Sequence, residues 1–203
     1  MRAGKCVSQN LVTLVKPEIM TKLTLTTVVL LMINSITTYG QTVLTYTEVI
    51  QVDSVTNIEL YNRAKLWFAT AYNSSNDVLQ LENKEEGQLI GKAIMKYNPT
   101  VLSGSETTKG SIKYTIKIFV KDGRYKYEIS DFIHDPVGNQ YGKSSLGLIT
   151  TDEECPNPIP RAKGLSNKVW LDIKNQIKKN IIPLIESLKQ QMAKRTETKK
   201  DNW

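Results

Sequence analysis

His134 stands between Asp131 and Asp135, and an imidazole with carboxylates nearby is the smallest apparatus for general base catalysis. It is the single histidine of the 203-residue chain. One histidine excludes a multi-histidine metal site and leaves any nucleophilic triad one base. No Gly-x-Ser-x-Gly elbow accompanies it, since Gly142-Lys143-Ser144-Ser145-Leu146-Gly147 fails on spacing. At a strand end, such a residue is expected to face solvent or to bond a turn. Gly138-Asn139-Gln140-Tyr141-Gly142-Lys143-Ser144 falls one residue short of a phosphate-cradling loop. No helix pattern follows it, so it reads as a flexible loop. Asp152-Glu153-Glu154 offers oxygen ligands to a hard cation but lacks the alternating spacing that wraps one ion; a solvated acidic loop is expected. Those carboxylates should raise the pKa of the adjacent Cys155, which reads as a plain loop cysteine. The expectation is therefore no catalytic constellation, no metal ligands and no cofactor.

One surface carries a denser pattern. Ile112, Tyr114, Ile116, Ile118 and Val120 alternate with Lys113, Thr115, Lys117, Phe119 and Lys121; Asp122-Gly123 follows, and Arg124 to His134 resumes the alternation. Strict period-two patterning predicts two half-buried strands joined by a two-residue loop of type I′, in which both central residues take positive φ. The register follows from that loop. Val120 should oppose Tyr125, Ile118 Tyr127 and Ile116 Ile129, with Lys117 facing Glu128 on the other side. The polar side would then gather Lys113, Lys117, Lys121, Arg124 and Lys126 with Phe119 and Phe132. Of these, Lys113, Lys117, Phe119, Lys126 and Phe132 are the predicted binding residues.

The elements that position this hairpin can be read along the chain. Val43 to Val52 predicts a first strand with Leu44, Tyr46, Ile50 and Val52 on one parity. Thr56-Asn57-Ile58-Glu59 is a capping box, and Val55 with Leu60 makes the matching staple. Leu60, Ala64, Trp67 and Ala71, with Tyr61 and Phe68 beside them, form the apolar stripe of the helix that follows. Strands over Val78–Glu82 and Gln88–Tyr97 come next, and Gly91 inside the second predicts a bulge or a close backbone approach. After the hairpin, residues 135–164 form a long irregular loop with four prolines. A closing helix runs from about Asn167 to Met192, its face traced by Trp170, Ile173, Ile177, Ile181, Leu184, Leu188 and Met192, and Pro183 predicts a kink. The order is β-α-β-β-β-β-α. A sheet with one open face and two amphipathic helices folds most simply as an α+β two-layer sandwich, with an antiparallel sheet and both helices on one face.

The N-terminal fifth has a different character. After Lys22 comes the apolar run Leu23–Ile36, then the small-residue segment Thr37-Thr38-Tyr39-Gly40. This is the pattern of a signal peptide over residues 20–40 with cleavage after Gly40, and it makes residues 1–19 an upstream extension. The run is short for a membrane span, which needs about 20 apolar residues. Loss of residues 1–40 removes Arg2, Lys5, Lys16, Lys22 and Glu18, leaving 23 basic and 19 acidic residues and a net charge of +4 in place of +7. It also removes Cys6 and leaves Cys155 as a lone thiol. The organisation expected is thus a single domain over 41–192 followed by a charged tail, 193–203.

The runs Tyr46-Thr47-Glu48-Val49-Ile50-Gln51-Val52-Asp53-Ser54, Glu59-Leu60-Tyr61-Asn62-Arg63-Ala64-Lys65-Leu66-Trp67 and Tyr125-Lys126-Tyr127-Glu128-Ile129-Ser130-Asp131-Phe132 resemble a bacterial domain of unknown function described as having a TBP-like fold. The resemblance covers roughly Val43 to His134. It implies that fold, and it implies an envelope or secreted protein behind an export signal. It transfers no catalytic residues.

Two functional classes follow. The leading one is an exported, non-enzymatic module that binds a protein or envelope component through the open sheet face, with no nucleic-acid partner and no membrane span after signal removal. The other is a hydrolase or transferase whose site lies between the 135–164 loop and the sheet and uses His134 and Asp131. Lysines interleaved with phenylalanines also resemble a single-strand nucleic-acid platform. An export signal and the balancing Glu128 oppose that reading.

Overall fold

Alternating apolar residues along Gln88–Tyr97, Gly110–Lys121 and Arg124–Pro136 give three long strands, each with one side buried and one side facing outward. The computed structural model describes residues 42–72, 74–101 and 105–194. The signal peptide of residues 20–40, the 1–19 extension and residues 195–203 of the tail lie outside the described residues. The elements are β1 (Tyr46–Gln51), α1 (Asn57–Ala71), a single-turn α2 (Ser75–Val78), β2 (Leu79–Asn83), β3 (Gln88–Tyr97), β4 (Gly110–Lys121), β5 (Arg124–Pro136), a two-residue β6 (Gly147–Leu148) and α3 (Lys163–Ala193). The sheet runs β1-β5-β4-β3-β2, with β6 paired to β5, and every pairing is antiparallel. This is the β-α-β-β-β-β-α sandwich expected, enlarged by α2 and β6.

Helices α1 and α3 cover one face. Leu60, Ala64, Trp67 and Phe68 of α1 and Trp170, Ile173, Ile177, Ile181, Leu188 and Met192 of α3 are buried against Ile112, Ile116, Ile118, Tyr125 and Ile129 of the sheet. Two polar bonds tie the helices together: Trp67 Nε1 donates to Ser187 Oγ at 2.9 Å, and Arg63 Nη1 to the Met192 carbonyl at 2.8 Å. The cap on α1 is present, with Thr56 Oγ1 accepting from the Glu59 amide at 3.3 Å. On α3, Ile185 takes the buried place expected of Leu184, which is only partly buried, and the helix continues through Pro183. Among the described residues no helix is long and apolar enough to cross a membrane.

The hairpin register is the one expected: Val120 opposes Tyr125, Ile118 Tyr127, Ile116 Ile129 and Lys117 Glu128. Its turn is not type I′. Gly123 takes φ +73°, while Asp122 keeps a negative φ. Tertiary bonds decide this. The Asp122 carboxylate accepts from the Asn57 amide at 2.7 Å, Gly123 N–H donates to the Val55 carbonyl at 2.9 Å, and Val52 N–H donates to the Gly123 carbonyl at 2.8 Å. The tip of the hairpin is thereby clamped to the β1–α1 connection, and that clamp overrides the turn preferred by an isolated hairpin.

Gly91 marks a close approach, by the Phe68 ring, and the bulge beside it lies on β2, where Gln80 is the extra residue. A Cβ there would lie 2.7 Å from Phe68 Cε1, and the β2–β3 register shifts beside it, between Leu79 and Leu81. The 135–164 segment is more ordered than its composition suggests. Ile149 N–H donates to the Phe132 carbonyl at 2.7 Å and Leu44 N–H to the Ile149 carbonyl at 3.1 Å, so the stretch is stitched between β5 and the chain ahead of β1. Leu146, Ile149 and Cys155 are buried there.

Candidate functional site

A second irregularity decides which residues reach the open face. Between Lys113 and Thr115 of β4 the pairing jumps from Ile133 to Ser130 on β5, so β5 carries one extra residue. Asp131 adopts φ +56° at that point, the left-handed region that a short polar side chain tolerates better than most. A bulge of this kind exchanges the two faces for every residue beyond it. Upstream, Tyr125, Tyr127 and Ile129 point inward; downstream, Phe132 and His134 do, while Ile133 and Asp135 point out.

Phe132 is therefore not on the open face, as the unbroken alternation predicted. It is fully buried, stacked on Tyr114 with ring centroids 5.7 Å apart and edge-on to Tyr46. The sequence held a sign of this, because Asp131 falls on the apolar parity and Phe132 off it. A charged residue at a core position marks a break in the period.

His134 is likewise buried rather than solvent-facing, at 1% exposure. Leu146 N–H donates to its Nδ1 at 3.1 Å, so Nε2 carries the proton and donates to the Thr108 carbonyl at 2.7 Å. Both ring nitrogens thus bond backbone, and burial holds the imidazole below its ordinary pKa of 6.5. The partnership with Asp131 required by the hydrolase or transferase reading does not form. The bulge places Asp131 outward and His134 inward.

The other chemical candidates also take structural roles. Asn139 and Gly142 each donate an amide hydrogen to the other's carbonyl at 2.9 Å, closing a tight turn that leads to β6 rather than to a helix N-terminus. Glu154 pairs with Lys163 at 2.7 Å, and Asp152 accepts from Thr150 Oγ1 at 2.8 Å. Burial, rather than its acidic neighbours, pushes the Cys155 thiol up. Among the described residues no cluster of metal-ligating side chains occurs.

The remaining predicted residues, Lys113, Lys117, Phe119 and Lys126, do share the open face, and the strand pairings set them in rows. Val49, Lys126, Phe119 and Gln88 form one row; Thr47, Glu128, Lys117 and Ile90 form the next. Thr115 stands beside Lys92, Lys113 lies between Ile133 and Ile94, and Ser111 lies between Asp135 and Lys96. Val49, Ile94 and Ile133 were missed by sequence reasoning. They are apolar residues on the outward parity, 55%, 66% and 44% exposed. In β3 the signal was available, since Ile90 and Ile94 alternate with Leu89 and Ala93 and cannot all face the helices.

Electrostatics on this face are uneven. Lys117 Nζ lies 2.8 Å from Glu128, and each holds the other in its charged form, raising the amine and lowering the carboxyl. Lys126 approaches the same carboxylate at 3.6 Å. Asp135 receives Lys113 at 2.7 Å and Lys143 at 3.0 Å, which lower its pKa to about 2. Lys92, Lys96, Lys121 and Arg124 have no carboxylate partner among the described residues. Two depressions lie on this surface. One of about 410 Å³ is lined by Val49, Phe119, Lys121, Arg124 and Lys126. The other, about 590 Å³, is lined by Lys92, Ile94, Lys113, Asp131 and Ile133 among others.

A family comparison agrees with this architecture. Residues 46–135 match the family model described as "Domain of unknown function (DUF4468) with TBP-like fold". Among solved structures, a TBP-like protein from Parabacteroides distasonis is 18% identical with a TM-score of 0.43, the match covering 72% of this chain and 93% of that one. A DUF4468 family protein from Bacteroides ovatus is 11% identical with a TM-score of 0.47, covering 72% and 86%. Comparison with curated proteins finds no match. From β1 through β5, in the segment 46–135, the chain is thus similar to the domains of unknown function with a TBP-like fold.

Proposed function

We propose that this chain is an exported, non-enzymatic binding module that docks a protein or envelope component on its open sheet face. One observation carries the reading: α1 and α3 close one side of the sheet, while the other leaves Val49, Ile94 and Ile133 exposed among lysines. Solvated sheet faces are ordinarily polar, and apolar side chains grouped on such a face mark a contact surface. The Leu23–Ile36 run ahead of Gly40 supports export.

The test compares recovery of envelope components on immobilised wild type and on Phe119→Ser. Phe119 is only partly buried and lines the first depression, so the variant folds. Loss of one or more captured components with the variant is the expected result; identical recoveries would remove the sheet face from consideration. N-terminal sequencing of the native protein from fractionated cells checks export, with Gln41 the expected first residue. A start at Met1 or Met20 in the cytoplasmic fraction counts against it.

A further inference from the structure

Resting on that reading of the open face, we infer that its occupant is an acidic polypeptide segment bound in an extended conformation, with acidic and apolar side chains turned towards the sheet. Three features of the face carry this.

The first is charge. On the three long strands Lys92, Lys96, Lys113, Lys117, Lys121, Arg124 and Lys126 stand against Glu128, Asp131 and Asp135, with Asp77 of α2 also lining the second depression. Among the described residues, four of these cations, Lys92, Lys96, Lys121 and Arg124, have no carboxylate partner. Uncompensated cations on one face attract anionic partners over distances of about a Debye length, about 8 Å in physiological salt.

The second feature is the placing of apolar groups beside those cations. Val49 and Phe119 flank Lys126, and Ile133 and Ile94 flank Lys113. Polyphosphate or an anionic glycan has nothing to set against these side chains. Nucleic acid binds such platforms by stacking bases on aromatic rings. Among the outward residues of the long strands Phe119 is the one aromatic ring, because Phe132 lies in the core.

The third is spacing. The two apolar patches centre on Phe119 and Lys113, six residues apart on β4, or about 20 Å at about 3.3 Å per residue. The neutralised Lys117–Glu128 pair lies between them, in one row with Ile90 and Leu81. A flat lipid surface would press the charged Lys117–Glu128 row against the membrane together with the apolar patches on either side of it. An extended polypeptide turns alternate side chains to the same side at about 6.6 Å intervals, the interval between successive rows of the sheet. A segment of about ten residues spans the face from Lys121 to Ser111.

Fluorescence anisotropy tests this with a labelled twelve-residue peptide, three repeats of Glu-Ser-Val-Ser. Controls are the Lys-Ser-Val-Ser and Glu-Ser-Ser-Ser counterparts, phosphatidylglycerol vesicles and a twelve-nucleotide single-stranded DNA. The acidic, apolar peptide should bind at least about tenfold more tightly than each control peptide and weaken as salt rises. Lys92→Glu and Lys121→Glu, both at exposed and internally unpaired positions, should each weaken binding several-fold with the melting temperature unchanged. Equal binding of the lysine peptide, indifference to both charge reversals, tighter binding of vesicles or DNA, or no peptide binding would each overturn the inference. If envelope recovery still depends on Phe119 when the acidic peptide fails, the sheet face survives as the site and only the partner chemistry falls. If neither depends on the face, both readings fall together.

Discussion

A few side chains in this protein hold positions whose energetics can be isolated. Tyr125 is buried, its hydroxyl has no hydrogen-bond partner among the described residues, and burial raises its pKa. An unsatisfied buried polar group costs about 1–3 kcal/mol, so Tyr125→Phe should leave stability unchanged or raise it by about 1 kcal/mol in urea titration. His134 presents the opposite case, with both nitrogens satisfied in the neutral form. Its folded pKa lies below its unfolded value of 6.5, so the unfolded chain binds more protons in the interval between them. The stability linked to this group is therefore complete above pH 6.5 and is lost as pH falls from 6.5 towards the folded value. Melting temperatures across pH 5–8 should show that decline in the wild type. His134→Gln should flatten the profile, and an equal slope in both would remove His134 as its source.

At the level of elements, Asp172 of α3 is the main polar anchor of the β3–β4 connection. Its carboxylate accepts from Tyr97 Oη at 2.8 Å, from the Thr100 amide at 3.0 Å, from Thr100 Oγ1 at 2.5 Å and from Gln176 Nε2 at 3.1 Å. Burial raises the pKa of this carboxyl, but the hydrogen bonds outweigh it and leave the group below the usual range. Asp172→Ala should cost about 2–3 kcal/mol, because several donors lose a charged acceptor together. Amide exchange should quicken at Thr100 and Thr108 before it does in the long strands. Gly91 sets how closely α1 approaches β3, given the 2.7 Å that a Cβ would have to Phe68. Gly91→Ala should accordingly destabilise by about 1–3 kcal/mol through overpacking.

For the molecule as a whole, the decisive property is the difference between the two sides of one sheet, and a matched pair of substitutions measures it. Phe132→Ser empties a fully buried site and should cost about 3–5 kcal/mol. Phe119→Ser, thirteen positions earlier on the outward side, should cost less than about 1 kcal/mol. Equal losses in denaturant titration would mean that the assignment of sides is wrong.

Much of this was legible in the residues alone, for reasons that are local. Alternation along 112–120 sets inward and outward positions, Asp122-Gly123 limits the loop to two residues, and those constraints determine the pairing of Lys117 with Glu128. Thr56 and Glu59 mark a helix start through bonds within one turn. The four residues Lys113, Lys117, Phe119 and Lys126 reach the open face because nothing interrupts the period around them. What lay beyond local reading depends on contacts distant in sequence. Asp131 turns left-handed where the β4–β5 pairing breaks, and that single residue moves Phe132 and His134 into the core and Ile133 onto the surface. The turn at Asp122 answers to Asn57 and Val55, more than sixty residues away. The composition of the open face likewise arises from assembly, since Val49, Lys126, Phe119 and Gln88 become neighbours only when β1, β5, β4 and β3 pair.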